Sequence, residues 1–222
     1  MAETTQDLQD IYRRRFSGTQ AYRNRVWLVL TSSFFSRWIA PMDAVLDLGC
    51  GYGEFINNIR AGQKWAMDLN PEAPRHIGKD VRFLHQDCSA AWPLPEASLD
   101  AVFTSNFLEH LPDQDSLKRA LRQAHRCLKP GGRFIAMGPN IKYLPGRYWD
   151  FFDHHLALTE RSLAEGLEMV GFKIERAIPR FLPYTLVGAP RYPLFLVRLY
   201  VLLPWLWWSI GKQFLVVGTK SV

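Results

Sequence analysis

The spacing of apolar and polar positions changes period several times along the 222-residue chain. Residues 6–16 and 21–39 carry the three-to-four-residue period of amphipathic helices, and Trp27, Leu28, Leu30, Phe34, Phe35, Trp38 and Ile39 are the apolar content of the second. Pro41 ends that pattern. Residues 44–48 (AVLDL) then form a short apolar run entering a glycine cluster, the signature of a parallel strand buried on both faces. Six further strands are predicted at KWAMDLN (64–70), VRFLHQD (81–87), LDAVFTS (99–105), RFIAMG (133–138), FKIERAI (172–178) and QFLVVGTK (213–220). Between them, residues 53–61 and 114–128 read as helices, the latter closed by Lys129-Pro130-Gly131-Gly132. Thr159 caps another helix that runs to Val170 and ends at Gly171. Alternating strands and helices predict a seven-stranded, mostly parallel α/β sheet with helices on both faces. Residues 1–222 form one domain: N-terminal helices over 1–40, a core over 41–180, an apolar insertion over 181–212 and a last strand over 213–222.

Composition narrows the class without choosing a function. A hydrophobic content of 48% with 22% charge suits a globular chain and excludes a disordered or fibrous one. Cys50, Cys88 and Cys127 form no CxxC pair, which argues against a disulfide framework and a zinc site and fits a reducing cytoplasm; no metal is expected. The opening MAETTQDLQD is polar and acidic, unlike a secretory leader. The net charge of +6 is uneven: residues 1–40 carry six basic and three acidic side chains, and residues 141–222 carry ten and six. Such flanks would attract an anionic substrate, a nucleic acid or an acidic membrane surface, or merely keep the chain soluble.

In an open α/β sheet, ligands sit at the carboxyl ends of the strands beside the switch point, and the candidate chemistry falls on such ends. Asp47-Leu48-Gly49-Cys50-Gly51-Tyr52-Gly53 follows the first strand and opens a helix. A dinucleotide fingerprint would need glycine at position 54, where Glu54 stands, and a diphosphate would be repelled by that carboxylate. An acid followed by alternating glycines suits a ligand with an ammonium group and no phosphate. Asp68 ends the second strand, where a carboxylate accepts two ribose hydroxyls. Asp87 ends the third, placed to accept from an adenine amino group while the Cys88 backbone N–H meets a ring nitrogen. A lone Asp at a strand end is usually a turn former. Three at successive strand ends form a set.

These runs resemble the class I S-adenosylmethionine-dependent methyltransferases. DLGCGYG matches that family's first motif, MDLN its ribose-binding acid, QDCSAAWPLPEASLDAVFTSNFLEHL its third and fourth strands, and LKPGGRFIA its fifth-strand hairpin. The likeness is close over 44–140 and holds in outline over 155–222. It implies a Rossmann-like fold, S-adenosylmethionine as cofactor and S-adenosylhomocysteine as product. By the resemblance, Asp47, Gly49, Cys50 and Gly51 surround the methionine moiety, Asp68 and Leu69 the ribose, Asp87 and Cys88 the adenine, and Asn106 with Phe107 the sulfonium end. The N-terminal helices would form a lid, with Tyr12 and Phe16 as its aromatic face or as ordinary helix packing.

On the acceptor side, Ser105-Asn106-Phe107-Leu108 lacks the Asn/Asp-Pro-Pro-aromatic signature of base-amino methylation, and Glu109-His110-Leu111 resembles the small-molecule branch. His110 is either a substrate-side base or an orienter of its loop. The segment 139–155 is dense in Tyr, Trp, Arg, Asp and His, as a loop facing a polar ligand with some flat surface should be. Lys142 and Arg147 would hold an anionic group, with Tyr143 and Trp149 beside them. Asp153 would orient His154 or His155, and His155 is the leading base. The expected reaction is direct in-line methyl transfer to a hydroxyl or amine of a small molecule or glycan, a base being required for oxygen. The competing readings are an RNA methyltransferase, which lacks an interleaved basic and aromatic surface here and is disfavoured, and a cofactor-binding regulatory protein without activity.

Residues 193–211 (PLFLVRLYVLLPWLWWSIG) reach the hydropathy of a membrane span, but Arg198 and Pro204 break it. Strands six and seven must also return to one sheet, which a single crossing forbids. Residues 191–211 therefore cover the substrate pocket, form a dimer face, or touch a membrane through Trp205, Trp207 and Trp208 with Arg191 and Arg198. The expected location is cytoplasmic, or peripheral at the inner membrane surface.

Overall fold

The computed structural model describes residues 20–184 and 190–221. The helix predicted over 6–16, with Tyr12 and Phe16, lies outside the described residues. The seven strands are β1 (Ala44–Leu48), β2 (Gln63–Asp68), β3 (Val81–His85), β4 (Leu99–Ser105), β5 (Leu128–Pro139), β6 (Phe172–Ile178) and β7 (Gln213–Lys220). They form one sheet in the order β3-β2-β1-β4-β5-β7-β6. All neighbours pair parallel except β7, which runs antiparallel to β5 and to β6. The expected sheet is thus present, mixed at one edge.

Burial explains the sequence pattern. β1 lies inside the sheet between β2 and β4 and all five of its residues are buried, so it needs apolar side chains on both faces. One face is covered by α3 (Gln114–Cys127) and α4 (Glu160–Met169), which contribute Leu117, Ala120, Leu121, Leu163 and Leu167 to the core. Asp113 starts α3 by accepting a bond from the Ser116 N–H at 2.6 Å, and Thr159 starts α4 through a reciprocal pair with Ser162. The other face is covered by α1 (Gln20–Ser33), α2 (Glu54–Asn58), α5 (Leu194–Leu202) and α6 (Pro204–Ile210).

The helix predicted over 21–39 is shorter than expected. It stops at Ser33 and tightens into a single 3-10 turn at Phe35–Arg37. In its last turn the Thr31 hydroxyl donates to the Trp27 carbonyl at 2.9 Å and the Ser32 hydroxyl to the Leu28 carbonyl at 2.6 Å, local bonds that compete with helix continuation. The turn delivers Phe34 and Phe35, both fully buried, into an aromatic cluster with Phe55, Phe103 and Phe181.

The insertion leaves β6 and returns to β7. Because these strands are antiparallel neighbours with Ile178 opposite Leu215, both ends of the insertion lie at the carboxyl edge of β6. That is also the carboxyl edge of the parallel strands, so α5 and α6 are carried over the site described below.

Removing the Phe35 ring should leave a cavity between α1 and the sheet. Phe35→Ala is expected to lower stability by about 3–5 kcal/mol in urea titration, whereas Met42→Ala, on an 86% exposed side chain, should change it by less than about 0.5 kcal/mol.

Candidate functional site

The strand order reverses between β1 and β4, and their carboxyl ends diverge there into a crevice. Among the described residues a cavity of about 1240 Å³ occupies it, floored by strand ends and roofed by α1, α5 and α6. Asp47, Gly49, Cys50, Gly51, Asp68, Leu69, Asp87, Cys88, Asn106 and Phe107 all line this cavity.

Its first wall is the loop from β1 to α2. Gly49 has φ of +70° and Gly51 of +51°, left-handed backbone that side chains resist. A Cβ at Gly49 would overlap the Phe107 ring, so this position is restricted twice. The Gly49 and Cys50 N–H groups both donate to the Met67 carbonyl, at 2.9 and 3.2 Å, holding the loop against the end of β2. Asp68 completes the tie. One carboxylate oxygen accepts from the Gly51 N–H at 2.7 Å and the other from the Asn70 N–H at 2.8 Å. A carboxylate has about four lone-pair sites, so each oxygen keeps one for a ligand hydroxyl.

The electrostatics at this end are acidic. Burial, and then the neighbouring Glu54 and Asp68, hold the Asp47 carboxyl well above its ordinary range. Burial also raises Asp68, against the opposing effect of its backbone donors. Arg23 of α1 reaches down to Glu54 at 2.8 Å. Asp87 accepts from the Ser89 N–H at 2.7 Å in a tight turn and remains exposed to the cavity. Burial pushes the Cys88 thiol up to about 12, which makes it a packing group and not a nucleophile. A ligand with fixed positive charge and hydroxyls fits this wall, and a polyphosphate does not.

The opposite wall is built by the turn after β4 and the loop 151–158. Asn106 adopts φ of +49° while its N–H donates to the Met137 carbonyl at 2.9 Å. Glu109, 2% exposed, accepts on its carbonyl from the His155 and Leu156 N–H groups at 2.8 and 3.0 Å, strapping the two loops together. His110 Nδ1 faces two acceptors of Asp153, the carbonyl at 2.8 Å and a carboxylate oxygen at 3.2 Å. A carbonyl can only accept, so Nδ1 donates to it, and in the neutral ring the lone pair is then on Nε2. Nε2 lies 4.0 Å from a Glu109 carboxylate oxygen. His154 packs its ring on Phe151 at 5.1 Å and edge-on to His110 at 4.9 Å. One ligand atom each from Glu109, His110 and His154 lies within 4.8 Å of the others, a donor set that could hold a divalent metal.

Asp153, His154, His155 and His110 therefore line the same cavity, the His155 ring being the exposed one. Four residues expected at the substrate do not line it. Lys142 is drawn away by Glu160, at 2.6 Å. Tyr143 lies beneath the Arg180 guanidinium at 4.9 Å, and Arg147 stands behind the cavity against Tyr184 at 5.8 Å. Trp149 is half exposed beside buried Tyr148, whose hydroxyl is spent on the Leu156 carbonyl. Conversely, Tyr22, Arg23, Val26, Trp27 and Leu30 of α1 face the cavity, as does Glu109. The spacing of 22, 26 and 30 was readable as one helix face. The burial of Glu109 depends on loops far apart in sequence.

A methyltransferase-domain family model matches residues 19–177. A probable S-adenosylmethionine-dependent methyltransferase of Mycolicibacterium smegmatis is 32% identical over 145 residues, 62% of this chain and 54% of that protein. The 27-O-demethylrifamycin SV methyltransferase of Amycolatopsis mediterranei is 33% identical over 108 residues, 43% of this chain and 38% of that protein. The chain thus spans about half, or less, of the length of these curated relatives. The crystal structure of a SAM-dependent methyltransferase from Archaeoglobus fulgidus superposes with a TM-score of 0.70 over 96% of this chain and 100% of that one. At 20% identity that likeness speaks for the fold alone.

Gly49→Ala should cost about 1–3 kcal/mol of stability, because the left-handed φ and the Phe107 ring both oppose a methyl group. A urea midpoint unchanged from wild type would show that the loop relaxes freely.

Proposed function

The chain belongs to the class I S-adenosylmethionine-dependent methyltransferases, and on that premise we propose that it methylates a hydroxyl group of a small molecule or glycan, with a histidine of the acceptor wall as base. When bound, S-adenosylmethionine supplies a sulfonium-activated methyl group and is left as S-adenosylhomocysteine. Asp47 would meet its ammonium, Asp68 its ribose hydroxyls, and Asp87 with Cys88 its adenine. The acidity of that wall supports this ligand, since burial and the neighbouring Glu54 and Asp68 disfavour the Asp47 carboxylate and an incoming cation relieves that.

The observation that carries the oxygen reading is the Asp153–His110 pair. An amine that is already neutral needs no base, whereas a hydroxyl loses its proton on transfer. His110 is fixed by Asp153 with Nε2 as the proton acceptor, and Glu109 stands behind Nε2 as a counter-charge for the imidazolium that forms. His154 packs edge-on to the His110 ring at 4.9 Å and holds it in place, and His155 lies on the exposed rim of the same cavity. The remaining work is positioning. Holding an acceptor in line can supply roughly 7–11 kcal/mol of the barrier. The likeness to a 27-O-demethylrifamycin SV methyltransferase supports an oxygen acceptor.

Two expectations follow. Burial keeps Asp47 protonated above the ordinary value of 3.8, and the ligand's ammonium favours the carboxylate, so binding expels a proton. Affinity for S-adenosylhomocysteine, measured by calorimetry, should therefore tighten as pH rises from 3.8 through the raised value, and Asp47→Asn should flatten that dependence. Turnover against a panel of hydroxyl and amine acceptors, followed by S-adenosylhomocysteine release, tests the reaction itself. His110→Ala should lower hydroxyl methylation by about 10²–10⁴-fold with cofactor affinity retained, and Asp153→Asn should lose less. Methylation of amines alone, indifferent to His110, would overturn the oxygen reading.

A further inference from the structure

From α5 and α6 we propose that the acceptor is carried on a lipid, and that these helices seat the protein on an anionic bilayer so that the acceptor enters from the membrane. This deepens the substrate class of the proposed methyl transfer and rests on that reading.

The two helices break the usual rule for surface helices. A helix exposed to water on one side should be polar there, and one apolar all round should be buried. α5 reads LFLVRLYVL and α6 reads PWLWWSI, yet Val201 and Trp207 are their only buried residues. Phe195 is 69% exposed, Trp205 67% and Trp208 62%, with Leu202 beside them at 47%. Exposed apolar surface on this scale marks a contact.

Charge and form select the partner. Residues 190–212 contain Arg191, Arg198 and Lys212 and no Asp or Glu, which complements anionic headgroups. Tryptophans at the edge of an apolar face suit the boundary between headgroups and acyl chains. Among the described residues no helix is long and apolar enough to cross a membrane, so these helices would lie in the interface.

The same helices lead into the site. Leu196 and Leu199 of α5 and Leu206 and Ile210 of α6 line the cavity, so its wall and the exposed patch are continuous. The cavity, about 1240 Å³, has to hold the cofactor and the acceptor together, and its share nearest α5 and α6 is apolar. A hydroxyl at His110 with an apolar chain running out beneath α5 would use both. The insertion is anchored well enough to present this face. The Tyr200 hydroxyl donates to the Phe181 carbonyl at 2.6 Å, the Trp207 indole to the Tyr200 carbonyl at 2.9 Å, and the Tyr22 hydroxyl to the Tyr192 carbonyl at 2.9 Å.

The test is flotation of the full chain with vesicles of phosphatidylcholine alone or mixed with phosphatidylglycerol. S-adenosylhomocysteine binding is measured in parallel, with light scattering in the absence of lipid. Flotation with the mixed vesicles, weaker with phosphatidylcholine alone, is expected. Trp205→Glu with Trp208→Glu should reduce it by about tenfold or more while cofactor affinity stays, and Arg198→Glu should remove the preference for the anionic lipid. Cofactor binding without flotation would overturn the proposal and spare the methyltransferase reading. So would a stable dimer lost with the same tryptophan substitutions, since a second copy would then cover the patch. Flotation without cofactor binding would instead remove the acceptor half of the proposal together with the proposed function.

Discussion

The burial of β1 on both faces governs how the site is made. A strand with no exposed residue cannot end gradually, because the next peptide groups must turn out of the core with their hydrogen bonds satisfied. The turn is sharp, and it is taken through left-handed backbone at Gly49 and Gly51. Its N–H groups are absorbed by the Met67 carbonyl and the Asp68 carboxylate, both at the end of β2. The same bonds that close the turn therefore set Asp68 in the crevice and hold Asp47 beneath it. Phe107, arriving from β4, packs where a side chain at Gly49 would have been and closes the loop from the other side. The recognition groups are by-products of terminating one strand.

This explains how much was legible. Strand cores at 44–48, 99–105, 172–178 and 213–220 carry local signals, an apolar run followed by turn residues, and they occupy those residues in the structure. The three acids of the first wall sit at or just past the carboxyl ends of β1, β2 and β3, so their place in sequence reveals their place in space. The acceptor wall is different. His110 and Asp153 lie 43 residues apart and meet only because the Glu109 carbonyl straps the loop 151–158. In the loop 139–155, composition suggested ligand contact for Lys142 and Arg147 as strongly as for Asp153. Side-chain direction decides between them, and for Lys142 the decisive partner is Glu160, on the next helix. The shortened α1 has the same origin, since hydroxyl back-bonding at Thr31 and Ser32 outweighed an apolar period that continued through Ile39.

The two walls answer to different constraints, and this bears on how the molecule chooses its acceptor. The wall of glycines and acids is tied to the strand ends by backbone hydrogen bonds from Gly49, Cys50 and Gly51 to Met67 and Asp68. The opposite wall and the roof are made by α1, the loop 151–158, and α5 with α6, which pack on the sheet or bridge its strands without belonging to it. Function concentrates in such connecting and covering segments. In this chain the roof has been given a composition that water alone would not retain. Against Phe34 and Phe181 the insertion sets one aromatic ring, that of Trp207, at 5.7 and 5.0 Å, and a single short helix could present it. Two complete helices stand there instead, apolar on the outside as well, with cations and no acids. Packing among the described residues buries Val201 and Trp207 and leaves Phe195, Trp205 and Trp208 exposed. A bilayer at the mouth of the cavity, as proposed, would give those side chains their partner.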